Sequence, residues 1–277
     1  MAIVLSLLAA AAYGLSDFIG GVFAKRVSAW TIAFVGAAAG GLAIGAFSLI
    51  DGGDPQRADY AWSLLAGVGN GLGTAFLYRG LSSGRMGVVA PVSGVGAALV
   101  PVVVGLAAGE RPSALVWAGM IVALPAIWLV ASEPATTEAN PSRSGLMDGV
   151  VAGLGFGTLF AALAQIPEDS GFLPLAANQL VAMVVIVVVA SSLRLPWVPR
   201  EPAAYVGAIS GTLGALATGL FLLATQSGYL TIAAVITSLY PAFTVLLAFF
   251  LLRESVHRTQ GVGLVLCGVA VALVAGG

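Results

Sequence analysis

The chain has 277 residues, of which 59% are hydrophobic and 8% charged, with a net charge of −1. Soluble domains carry about 25% charged residues, so these charges are too few to clothe a water-facing surface, and lipid is the expected solvent. The near-neutral balance excludes a basic nucleic-acid footprint, and a single cysteine (Cys267) with a single histidine (His257) excludes a disulfide framework and the usual Cys- or His-rich metal sites.

Runs of about 20 apolar residues are long enough to cross a bilayer as helices. The first covers 3–22. It lacks the basic n-region of a signal peptide and continues to about Ala24, so a retained span is expected. Within it lies Asp17, on one helix face with Tyr13, Gly14 and Gly21. A carboxylate in a span is costly and marks a partner, a watery cavity or a function. Lys25 is two turns away, roughly 12 Å at 1.5 Å per residue, too far for direct pairing along a straight helix. Asp17 therefore reads either as a cavity-facing group for a substrate amine or a proton, or as a water-exposed residue near the end of its span.

The second span, 30–50, carries Gly36 and Gly40 at a spacing that suits close helix packing. The third, 60–78, places Asn70, Thr74 and Tyr78 at i, i+4 and i+8, a polar stripe that lipid would not tolerate. It lines a cavity or bonds to other helices. The fourth, 88–108, contains Pro91 and Pro101, which free the carbonyls of Gly87 and Ala97 and are expected to act as hinges. Glu110 follows it, just before the fifth span, 114–131, where a helix N-terminus would favour a carboxylate. The polar stretch "SEPATTEANPSRSG" then separates two halves, 1–132 and 146–277, with 133–145 as linker.

The sixth to tenth spans cover 146–165, 173–191, 203–224, 231–252 and 259–275. The sixth ends on Gln165, the seventh holds Asn178 and Gln179, and the eighth holds Thr218 and closes on Gln226. In the ninth, Pro241 frees the carbonyl of Thr237 beside Tyr240, and Glu254 follows the span. Asp17 is the one charge expected deep inside a span. Trp30, Trp62, Trp117 and Trp197 fall at span ends, as interfacial anchors do.

The halves repeat. "SSGRMGVVAPVSGVGAALVPVVVGLAAGE", ending at Glu110, aligns without gaps on "QSGYLTIAAVITSLYPAFTVLLAFFLLRE", ending at Glu254, at an offset of 144 that also pairs Thr74 with Thr218 and Gly119 with Gly263. Five spans per unit is odd, so the second unit enters from the opposite side. The expected fold is all-α and integral to the membrane: ten transmembrane helices as two inverted five-helix repeats, a plan that gives alternating access to one central site. Lys25, Arg26, Arg79, Arg85, Arg143, Arg194, Arg200, Arg253 and Arg258 fall on one side, and only Arg57 and Arg111 on the other. The first side is expected to be cytoplasmic, with both termini outside. No P-loop, GxSxG or HExxH motif occurs, so no ATP use or hydrolysis is expected, and an ion or substrate gradient must drive any transport.

On "YGLSDFIGGVFAK" in the first span and the two matching Ser-Gly to Glu tracts, the chain resembles the EamA-type family of the drug/metabolite transporter superfamily. The resemblance implies a central cavity lined by spans one, three, four, six, eight and nine, with five and ten at the periphery. It also implies export of amino acids, other metabolites or drugs across the cell membrane, without cofactor or metal. Carried onto this sequence, it places Tyr13, Asp17, Asn70, Thr74, Tyr78, Thr218, Thr237 and Tyr240 at the cavity, and Pro91, Pro101 and Pro241 at hinges or gates. Asp17 would carry a proton or face a cationic substrate. The competing expectations are a non-transporting scaffold or assembly subunit, which has no need of two-faced symmetry, and a channel, which usually gathers several subunits around its pore.

Overall fold

A computed structural model describes the backbone of residues 1–24, 26–82, 86–132, 143–253 and 255–277, with side chains omitted for 81–88 and 143–144. Lys25, Arg85, Glu254 and most of the expected linker therefore lie outside the described residues. The described chain is helical, without strands. The helices are α1 (Ala2–Ala24), α2 (Ala29–Asp51), α3 (Arg57–Ser82), α4 (Met86–Ala107), α5 (Ala114–Ala131), α6 (Arg143–Leu163), α7 (Leu173–Ser192), α8 (Val206–Gln226), α9 (Leu230–Thr237), α10 (Tyr240–Leu252) and α11 (Arg258–Gly276).

Among the described residues, nine helical stretches are long and apolar enough to cross a membrane, α9 and α10 together forming one of them. The expected third span is the exception. α3 has 26 residues, but Arg57, Asp59, Asn70 and Arg79 lower its apolar character. It packs chiefly against α6 and α7, so helices cover the polar groups that lipid would penalise.

The expected single ninth helix is interrupted. The Ser238 N–H closes on the Ala234 carbonyl and the Leu239 N–H on the Ile236 carbonyl, and a new helix begins at Tyr240-Pro241. Proline has no N–H to continue α9, yet its fixed φ suits the first turn of α10. Pro91 and Pro101 behave differently: both sit inside an unbroken α4, as Pro125 does inside α5. The three expected hinge prolines are thus not equivalent, and only Pro241 coincides with a break.

The major helix pairs are α3 with α6 and α7, α4 with α6, α1 with α8, α2 with α8, and α5 with α11. Small residues permit the close approaches. A Cβ on Gly211 of α8 would fall on the Gly36 backbone of α2. One on Gly155 of α6 would come within 2.6 Å of both Gly69 O and Gly73 N of α3, and one on Gly153 within 3.0 Å of Gly96 Cα of α4. α11 packs on α5 and touches α10, away from the centre.

Two clamps mark the ends of the bundle. At the end holding the chain's N-terminus, Glu110 accepts hydrogen bonds from the Leu230 N–H (2.6 Å) and the Thr231 N–H (3.0 Å) at the start of α9. It serves a helix N-terminus, as expected, but that of α9 in the other half rather than the helix that follows it, because the α4–α5 turn folds over α9. At the opposite end, the Arg79 guanidinium in the last turn of α3 pairs with Asp148 in α6, while stacking 4.5 Å from the Phe76 ring centroid. Asp148 is 2% exposed. Asp17 is therefore not the one charge within the expected spans: Asp148 is a second, neutralised by its neighbour. His257 stands at the N-cap of α11, its backbone N–H donating to Gln260 Oε1 at 3.1 Å.

Candidate functional site

A cavity opens where α1, α2, α3, α6, α7, α8 and α10 converge. Of the residues singled out from the sequence, Tyr13, Asp17, Asn70, Thr74, Tyr78, Thr218 and Tyr240 all line it. Thr237 does not. It is fully buried near the end of α9, its hydroxyl facing the Ser6 carbonyl at 3.5 Å. Pro91, Pro101 and Pro241 are also absent from the wall. Five of the six spans expected to line the cavity do so, the ninth through Tyr240; among the described residues α4 contributes none, and two further helices join the wall, α2 with Ile32, Ala33, Gly36 and Ala37 and α7 with Gln179, Ala182 and Ile186. The glycine contact at Gly36 and Gly211 draws α2 and α8 together beside the cavity, while α6 occupies the flank of α4.

The polar wall is largely self-satisfied, and the proton positions follow from counting donors, since a hydroxyl has one proton. Thr218 Oγ1 donates to the Gly214 carbonyl one turn back at 2.7 Å, so the Tyr13 hydroxyl is the donor in its 2.7 Å bond to Thr218. Ser16 Oγ donates to the Ser210 carbonyl at 2.8 Å and Ser210 Oγ to the Ser16 carbonyl at 2.9 Å, a reciprocal pair that ties α1 to α8. The Tyr78 hydroxyl is then the donor to Ser210 Oγ at 3.1 Å. On the facing wall, Asn70 Nδ2 donates to Gln179 Oε1 at 2.6 Å, and Thr74 Oγ1 donates to Asn70 Oδ1 at 3.3 Å.

Asp17 stands apart from this network. It is half-buried and lines the cavity, and no hydrogen bond or ion pair joins its carboxylate to a described residue. Among the described residues, no lysine, arginine or histidine lines the cavity with it. Aromatic rings fill much of the remaining wall. The Tyr13 ring lies 5.9 Å from that of Phe160 and 6.2 Å from that of Tyr240, both tilted, and Phe160 stacks on Phe221 at 4.4 Å. The arrangement can hold a small, partly apolar molecule and offers it one ionisable acid.

Ser16, Ser210 and Phe160 were not among the residues marked in the sequence. The serines give little signal, because a serine in a transmembrane helix can always satisfy itself on a nearby backbone carbonyl. Gln179 gave a signal as a polar residue inside a span, but its partner Asn70 lies more than a hundred residues away in the chain. Among the other marked amides, Gln165 bonds its own helix at Ala161 O (3.3 Å) and Gln226 reaches Ile166 O (3.4 Å), so both close helix ends rather than line the site.

No curated protein matches the sequence. A solved crystal structure, described only as that of a protein, superposes with a TM-score of 0.73 over 99% of this chain and 98% of its own, at 16% identity, a likeness of fold. The model of the EamA-like transporter family matches residues 1–132 and 143–276, nearly the whole sequence. The protein is thus multi-pass in the membrane, and it belongs to the EamA-like transporter family, whose members are small-molecule transporters and not enzymes.

Proposed function

We propose that the protein is a secondary active transporter that exports small metabolites or drugs across the cell membrane by alternating access, with the cavity around Asp17 as its binding site. The observation that carries this reading is an unpartnered carboxylate in a cavity built jointly by both halves of the chain: α1, α2 and α3 from the first, and α6, α7, α8 and α10 from the second. A carboxylate left without a partner at that depth is expected only where something mobile, a proton or a ligand, completes it.

The two units, 1–132 and 146–277, are inverted repeats in this reading. Its support is the reciprocity of the packing. Exchanging each helix of the first half for its mate in the second turns the α3–α6 pair into α8–α1 and the α2–α8 pair into α7–α3, and all four are major contacts. The α5–α11 pair maps onto itself at the periphery. Two such halves rock against each other through smooth glycine seams, with the α9–α10 break and the proline-bearing α4 as flexing points. The side bearing Arg26, Arg79, Arg194 and Arg200 is cytoplasmic, and both termini are outside.

Asp17 couples flux to the proton gradient or faces a cationic group on the substrate. In proteoliposomes, wild-type flux should depend on pH, and Asp17→Asn should abolish that dependence. A pH profile unchanged by the substitution would remove Asp17 from coupling.

A further inference from the structure

The hydrogen-bond accounting in the cavity narrows the class of ligand. Tyr13, Tyr78, Thr74, Thr218, Ser16 and Ser210 have all spent their single protons on protein acceptors. The tyrosine oxygens therefore turn lone pairs, not protons, toward the space. The donors left over are neutral: the second N–H of Asn70, the Gln179 amide nitrogen, held against Gly40 of α2, and the buried Tyr240 hydroxyl, which has no partner. Against these stands one acid, Asp17, and no cationic side chain among the described residues lines the wall with it.

An anionic or zwitterionic guest would bring a carboxylate or phosphate into a space that already holds one, with no charged donor to receive it. Leaving such a group unpaired in a desolvated site is heavily penalised. A guest with a single positive charge leaves the cavity neutral, and tilted aromatic faces at Tyr13, Phe160 and Tyr240 suit an organic cation and its apolar body. Resting on the transporter reading above, we infer that the substrate class is organic monocations, protonated amines or quaternary ammonium compounds with an apolar or aromatic body and no acidic group. Amino acids, which carry the same amine with a carboxylate beside it, are excluded from this class.

A matched series tests this on the purified full chain by calorimetry: phenethylamine, phenylalanine and 3-phenylpropionate, which keep the ring and vary the charges, with benzyltrimethylammonium as a permanent cation. Phenethylamine and benzyltrimethylammonium should bind. Phenylalanine should bind at least about tenfold more weakly, and 3-phenylpropionate should not compete. Asp17→Asn should weaken both cations by about thirtyfold or more, since it removes one partner of a desolvated charge pair. Because that variant can lose its fold, its thermal melt is recorded alongside, and the wild-type series decides by itself if the variant melts early. The inference is overturned if phenylalanine or 3-phenylpropionate binds as tightly as phenethylamine, if a folded Asp17→Asn variant keeps wild-type affinity, or if neither cation binds up to its solubility limit. In each of those cases the transporter reading survives so long as a thiol introduced by Thr74→Cys is reachable from both membrane faces. Loss of that two-faced access removes the reading itself.

Discussion

Single residues decide what the cavity can hold, and their roles separate by what each has already bonded. Tyr13 illustrates a group whose ring and hydroxyl do different things: the ring walls the cavity, and the hydroxyl donates to Thr218. Tyr13→Phe keeps the ring and leaves Thr218 still bonded to Gly214, so no donor is orphaned. A stability loss of about 1 kcal/mol is expected, read as a small drop in melting midpoint, with cation binding preserved. A loss of binding comparable to that of Asp17→Asn would mean the hydroxyl itself contacts substrate. The sequence makes much of this set visible, because Asp17, Asn70, Thr74, Tyr78 and Thr218 are polar groups in apolar runs, and bilayer physics makes each conspicuous. It conceals Ser16 and Ser210, which cost little anywhere on a helix, and it misplaces Thr237, whose spacing from Pro241 suggested a freed carbonyl but whose side chain turns toward α1. The neutralised Asp148 was equally hidden, since its partner Arg79 lies in a different helix.

At the scale of elements, the glycine seams and the clamps at the helix ends hold the arrangement. Gly211→Ala should be destabilising by about 1–3 kcal/mol, the usual cost of overpacking, because its Cβ would meet the Gly36 backbone, which has no side chain to rotate away. Gly261→Ala, at a helical position with open space around it, should be neutral or stabilising by about 0.5–1 kcal/mol. Thermal melts of the pair in one detergent check both signs together. Glu110→Ala should cost about 1–2 kcal/mol, since it strips two N–H groups of α9 of their acceptor, whereas Glu110→Gln should recover part of that loss. Equal melts for wild type and Glu110→Ala would remove the clamp from the account. Helix positions were readable from apolar runs to within a few residues, but the break between α9 and α10 was not distinguishable from the proline sites in α4. Each proline removes one donor; whether the helix then stops depends on neighbours that the local sequence does not name.

At the scale of the whole molecule, helices of the two halves interleave around one cavity, and their reciprocal pairing is consistent with the two-fold relation proposed above. The offset of 144 between the two matching tracts is legible in the sequence, because it needs only counting. The share of α2 and α7 in the cavity was not, because it depends on how closely Gly36 and Gly211 let α2 meet α8 and how closely Gly67 and Gly71 let α3 meet α7. Orientation belongs to this scale: a protease-cleavable tag after Gly277 should be cut on intact cells, and cutting only in opened cells would reverse the assignment. The central claim is that one site is exposed alternately to the two faces. Its most direct measurement uses Thr74→Cys in a Cys267→Ala background, labelled by a membrane-impermeant thiol reagent in right-side-out and inside-out vesicles, with and without phenethylamine. The account predicts labelling from both sides, with the ligand protecting the thiol or shifting the balance between faces. Labelling from one side alone, indifferent to ligand under every condition, would contradict it.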